Sequence, residues 1–225
     1  MAVEYVDFDI VGADNSSGLT RSRTIPSGTD QVLVVFLSSE DSDNATHGNI
    51  ENATTYNGVT LTPITNGGGG FSNGSEVKVF AWYMVNPPVG TANIVVDLIG
   101  TVNGINLTSV VLRNVDTTNP IADFDSNTFT ASGSSSVSLD CVADSLLLGY
   151  IGISTASTFT PSGGQTSISS NNSNGYWKES AYKTIASAGS NSLGWTFSTS
   201  RGCLIAVNFQ PVVEASGGGN FFQMF

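Results

Sequence analysis

Apolar and polar residues alternate with a period of two along most of the chain, the spacing of strands that keep one face in a core. No window repeats apolar residues at i, i+3, i+4 and i+7 over three turns, so almost no helix is expected. Residues 3–10 alternate, and the change of parity between Tyr5 and Phe8 predicts a bulge near Val6. Residues 31–37 are an unbroken apolar run, as expected of a strand covered on both faces. Residues 54–62 hold Asn57-Gly58 between β-formers, the strongest short hairpin signal. Residues 76–85 put Val77, Val79, Ala81, Tyr83 and Val85 on one face.

Asn86-Pro-Pro-Val-Gly90 reads as a turn, because two prolines cannot sit in a central strand. Strands are expected at 91–98 and 107–112, with a turn over 100–104 between them. Further strands are expected near 121–129, 136–141, 145–153, 175–185, 192–197 and 203–209. About 12 to 14 strands with short polar turns predict an all-β fold, a jelly-roll-like antiparallel β-sandwich. It would fill residues 1–213, with a candidate sub-boundary at 116–120. No internal repeat of solenoid or propeller type is visible. Polar loops at 38–52, 66–74 and 157–174 would gather at the ends of the sandwich, where binding surfaces are commonly built.

The alternation stops at the end of the chain. Residues 214–225 carry three consecutive glycines and then Asn-Phe-Phe-Gln-Met-Phe. The glycines make a flexible tether, and Phe221, Phe222, Met224 and Phe225 are large and apolar. Burying each such side chain gains roughly 1.5–3 kcal/mol. A tether with an apolar tip predicts docking onto a partner.

Composition narrows the class. Of 225 residues, 7 are Lys or Arg and 18 Asp or Glu, for a net charge of −11. Only 11% are charged, against about 25% in ordinary globular chains, so solubility rests on Ser, Thr, Asn and the negative surplus. Nucleic-acid binding is disfavoured, because it needs clustered cations and the basic residues are scattered. No apolar run approaches the ~20 residues of a membrane span. The first ten residues have neither a basic nor an apolar region, so no secretory signal is expected. A Lys-poor, Ser/Thr/Asn-rich β chain suits an exposed setting, and a virion protein released by lysis reconciles that with the missing signal. Cys141 and Cys203 each lie beside a strand, as a cross-sheet disulfide or as two buried thiols.

Candidate chemistry is sparse. His47 is the only histidine and sits in a polar loop without a Gly-x-Ser-x-Gly elbow, so it reads as a surface residue. Glu40, Asp41 and Asp43 concentrate oxygen ligands and are weak calcium candidates, since the glycine and terminal glutamate of an EF-hand are missing. Asp97, Asp123, Asp125 and Glu179 could pair as glycosidase carboxylates only if the fold joins them. Tyr176 and Trp177 follow an Asn/Ser-rich loop and are candidates for stacking on a glycan. No catalytic residue and no other cofactor is expected, and the chain reads as non-enzymatic.

Tyr56-Asn-Gly-Val-Thr-Leu-Thr62, Val79-Phe-Ala-Trp-Tyr-Met-Val-Asn-Pro-Pro-Val-Gly90 and Val110-Val-Leu-Arg-Asn-Val-Asp-Thr-Thr-Asn-Pro-Ile121 resemble a β-sandwich module of phage structural and bacterial surface proteins. The resemblance covers the first half of the chain clearly and the second half vaguely. It implies a jelly-roll-like scaffold with a binding or decorating role and brings no catalytic residue. The expectation is a virion protein, a capsid decoration or fibre component. Its tail would dock on other virion proteins or on its own subunits in a homo-oligomer. The alternative is a carbohydrate-binding or adhesive module at a cell surface or outside cells, with surface glycans as partners.

Overall fold

The computed structural model describes residues 1–41, 49–64, 71–72, 77–171 and 177–213. Among them there is no helix, and fourteen strands form two antiparallel sheets. The first sheet holds β1 (Glu4–Ile25), β2 (Val32–Glu40), β3 (Thr55–Tyr56), β4 (Val59–Thr60), β5 (Thr62–Pro63), β6 (Phe71–Ser72), β7 (Val77–Val85) and β8 (Gly90–Arg113). The second holds β9 (Ile121–Cys141), β10 (Ser145–Ile153), β11 (Thr160–Ser162), β12 (Thr166–Asn171), β13 (Trp177–Ile185) and β14 (Gly189–Phe209).

The local signals act as expected where they are strongest. Tyr5 pairs with Leu112 and Asp7 with Val111, which leaves Val6 as the bulge. Asn57 and Gly58 both have positive φ, 51° and 73°, as a type I′ hairpin turn requires between β3 and β4. The long strands correct the expected boundaries. Residues 91–98 and 107–112 belong to one strand, β8, whose ladder with β1 resumes across an irregularity around Gly100, where φ is 68°. Residues 121–141 and 189–209 likewise form single strands. The reason is that β1 and β9 stay paired with them across the polar stretches, through a register shift instead of an end to the ladder. Ser38, Ser39 and Glu40 extend β2 and are buried, and residues 160–162 and 166–171 are strands in place of loop.

These long strands bend. Arg21 Nε and Nη2 donate to Asp9 at 2.7 Å each, although the residues are 12 apart on the same strand. A straight strand would hold them ~40 Å apart. Arg23 also pairs with Asp7. β1 therefore folds back on itself near Asn15, which has φ 47°. Residues 4–14 and 104–113 join β2 and β7 in one wall, while residues 18–25 and 90–97 join β3 and β4 in the other. Counted as eight segments along the chain, the walls run 1-8-3-6 and 2-7-4-5, the nested order of a jelly roll.

The second half of the chain repeats the plan. Residues 121–129 and 202–209 join β10 and β13, and residues 134–141 and 189–196 join β11. Each lobe encloses a core of its own, around Leu33, Phe80 and Ile94 in the first and Leu147, Leu193 and Trp195 in the second. A third core joins the lobes, with Val32, Val34 and Phe36 of β2 facing the equivalent Leu146, Leu148 and Tyr150 of β10. The Phe36 and Tyr150 rings stack 5.3 Å apart at 6°. Equivalent residues in contact mark a pseudo-twofold axis that runs between β2 and β10, parallel to both. Cys141 belongs to the second lobe's core and Cys203 to the joining core, both as buried thiols, so the disulfide is not formed.

This symmetry gives the molecule two unlike ends. β2 and β10 run the same way, so the strand ends that lead to residues 42–48 and 172–176 lie together, with Glu40 beside Val77 and Ile153 beside Trp177. At the opposite end Val3 N bonds Asp144 O, Val115 bridges Pro211, and Val212 N bonds Asn114 O. The described chain thus stops at the end away from those connections.

Candidate functional site

The most polar part of the interior is the loop-bearing end of the seam between the lobes. It forms because two β13 positions depart from the pattern set by β7. Register pairs Tyr83 with Val34 and Tyr182 with Leu148, so Lys178 stands where the first lobe has Val79, and Glu179 where it has Phe80. Lys178 is fully buried and crosses the seam to donate to the Leu107 carbonyl at 3.0 Å and to Thr108 Oγ1 at 3.2 Å. Burial pushes its amine down to about 7, with the charge of Asp9 acting weakly the other way. Beside it the Ser38 hydroxyl bonds the Tyr150 hydroxyl at 2.8 Å, which donates on to the Asn106 carbonyl at 3.3 Å. Burial pushes the Tyr150 phenol above its ordinary range. Gly152 allows this closeness, because a Cβ there would sit 2.9 Å from Ser38 Cβ.

A cavity of about 10 Å³ opens within this cluster, room for about one water. Asn106 Oδ1 and Trp177 Nε1 are buried without a protein partner and belong to residues that line it. An acceptor and a donor facing one small space suit a single bridging water. In the second lobe's core Glu179 is buried, which pushes its carboxyl up, while the Ser167 hydroxyl donating at 2.7 Å works against that rise.

The residues singled out from sequence scatter over this frame. Trp177 begins β13 half-buried and packs on the second lobe's core. Glu40 and Asp41 are buried, Asn103 donates to Glu40 Oε2 at 3.4 Å, and the Lys78 amine, lowered by burial, feels the charge of Asp41. Among the described residues no three His, Cys, Asp or Glu side chains gather as a metal site. Asp97 sits in the first lobe beside Asn52, Asp123 accepts from the amides of Phe124 and Asp140, and Asp125 from that of Ser126. Tyr176, Asp43, His47 and the tail residues Phe221, Phe222, Met224 and Phe225 lie outside the described residues. Among the described residues no helix is long and apolar enough to cross a membrane.

Sequence reading missed Lys178 as a seam residue and missed the Arg21–Asp9 and Arg23–Asp7 ladder. The sequence did carry a signal of the repeat itself, since Asp7-Phe8-Asp9 recurs as Asp123-Phe124-Asp125 at equivalent places on β1 and β9. No family model matches the chain, and no curated protein or solved structure matches it.

Proposed function

We propose that this chain is a non-enzymatic structural protein of a phage virion, a capsid decoration or fibre component. It docks to a neighbouring subunit or to the shell through residues 214–225 and turns its long loops outward. The observation that carries the reading is the polarity of the body. The described chain stops beside the linker between the lobes, at one end, and the connections at 42–48 and 172–176 leave from the other. An attachment element and a display surface at opposite ends suit a protein that sits on a particle. The joining core makes the lobes one body able to transmit a fixed orientation. Deleting residues 217–225 is expected to leave the body folded and particles stripped of it. Particles with a full complement of the shortened protein would defeat the reading.

Half-exposed Trp177, at the loop-bearing end, favours the carbohydrate-binding module as a second reading. Saturable binding on a glycan array that disappears in Trp177→Ala would put that reading first.

A further inference from the structure

The pseudo-twofold symmetry is broken at the two outer edges of the seam, and the break leaves a groove. On one edge Tyr5 of β1 stacks on Tyr182 of β13, with centroids 4.8 Å apart at 4°. Tyr83 of β7 is the equivalent of Tyr182, and Ile121 of β9 is the equivalent of Tyr5, because each pairs with the residue opposite the start of β2 or β10. One aromatic ring is therefore missing from the second edge. In its place lies an open groove of about 380 Å³, with Pro63, Ile64 and Tyr83 on one side and Ile121, Ala122 and Phe124 on the other. The carboxylate of Asp123, which also borders it, is taken up by the amides of Phe124 and Asp140.

We propose that in the free chain this groove holds the chain's own C-terminal segment, with a phenylalanine of residues 221–225 in the place of the missing ring. The proposal rests on the reading of the tail as a docking element and adds its regulation: the tail is parked until assembly displaces it. Reach permits this. Gln210 N bonds the Pro120 carbonyl at 3.0 Å, directly before Ile121 in the groove wall. Val213 lies three residues further on, at most ~10 Å away, and residues 214–220 span up to ~23 Å when extended. A short flexible linker gives a tethered group an effective concentration in the millimolar range. The own tail therefore outcompetes a second copy's at ordinary protein concentrations. Parking also keeps three phenylalanines and a methionine from driving aggregation before a partner arrives.

The test uses a fluorescent peptide of residues 219–225 and chymotrypsin. The chain lacking 217–225 is expected to bind the peptide saturably, and the full chain, with its groove filled, at least tenfold more weakly. Ala122→Trp, an exposed position whose enlargement fills the groove, is expected to abolish binding to the shortened chain. In the full chain it is expected to speed chymotryptic cleavage after Phe221 and Phe222 at least tenfold. Equal peptide binding by full and shortened chains, or none by either, overturns the proposal, as does a tail cleaved as fast as free peptide. A concentration-dependent dimer of the full chain that dissolves on tail deletion also overturns it, by placing the tail on a second copy. If particles need the tail while the peptide ignores the groove, parking alone fails. If particles keep the shortened chain, the docking reading fails with it.

Discussion

The two lobes share a strand order and differ in how they close. In the first, Arg21 and Arg23 reach from the second limb of β1 to Asp9 and Asp7 on its first limb. Ile25 opposite Gly90 and Cys141 opposite Gly189 set the equivalence, which puts Val137 and Leu139 where the arginines stand. Those two side chains are buried in the second lobe's core, and the equivalent aspartates turn to backbone amides instead. On the other wall the exchange runs the opposite way, with Val79 and Phe80 in the first lobe and Lys178 and Glu179 in the second. The lesson is that the nested strand order is indifferent to which contacts are ionic and which apolar, as long as charged side chains such as Arg21, Arg23, Lys178 and Glu179 each keep a polar contact.

If the lobes are joined as firmly as each is built, the largest effect comes from their shared axis. Phe36 is fully buried against Tyr150, and Phe36→Ala is expected to cost ~3–5 kcal/mol. Trp82 and Trp195 are buried in different lobes, so chains retaining only one of them report on one lobe each. Their chemical denaturation curves are expected to coincide, before and after the substitution. Separate midpoints would show that the lobes unfold independently and that the joining core is weak.

The next effect separates the lobes by pH. Lys178 has an amine lowered to about 7 in the folded chain, while the unfolded chain keeps the ordinary value of ~10.4. Between those values the unfolded state holds one more proton, so stability rises with pH, by about 1.4 kcal/mol per unit from this group. Below about 7 the penalty is complete and no longer changes with pH. Lys178→Met, which approaches the Val79 of the first lobe, is expected to remove that slope when denaturation midpoints are compared from pH 7 to 10. An unchanged slope would mean that the amine is not held neutral.

A smaller difference tests the closing edges. Asp7→Ala strands the nearly buried Arg23 and is expected to cost about 2 kcal/mol. Asp123→Ala, at the equivalent place, loses only contacts to the amides of Phe124 and Asp140 and is expected to cost about 1 kcal/mol. Equal losses by urea denaturation would show that the ladder adds nothing to its lobe. The Arg21–Asp9 pair holds the Asp9 carboxyl below its usual range. Its contribution is present above the ordinary aspartate value and is lost as pH falls through the lowered one. Because Arg21 is 40% exposed, that contribution stays within ~1 kcal/mol.

Apolar patterning was enough to find β7 and β10 nearly to the residue, because each is bounded by a turn signal such as Asn86-Pro-Pro or Asp144, while the apolar run at 31–37 found β2 but stopped three residues short of its end at Glu40. It could not show that 91–98 and 107–112 are one strand, since a bulge and a turn use the same glycines and asparagines. The repeat escaped because the lobes conserve shape while exchanging side chains, and the recurring Asp-Phe-Asp is too short to stand out. Lys178 escaped for a related reason. Trp-Lys-Glu-Ser reads as the polar start of a strand, and only the facing sheet turns that start into an interior.

The smallest effect is the one that should be the same in both lobes. Asp30 and Asp144 stand just before β2 and β10, and both hold the left-handed region, with φ 50° and 58°. Each carbonyl is committed, Asp30 O to Val115 N and Asp144 O to Val3 N, so neither residue can relax by turning its peptide away. Aspartate tolerates this conformation better than alanine, whose Cβ crowds the carbonyl without a compensating local hydrogen bond. Asp30→Ala and Asp144→Ala are each expected to cost about 1 kcal/mol. The glycine variants should stay near the parent, because relief of strain and added chain entropy offset each other. Thermal denaturation of the four variants checks it. A loss confined to one lobe would mean that its turn is held by its surroundings instead of by its own backbone, and the turns that lead β2 and β10 into the shared seam would not be mechanically equivalent.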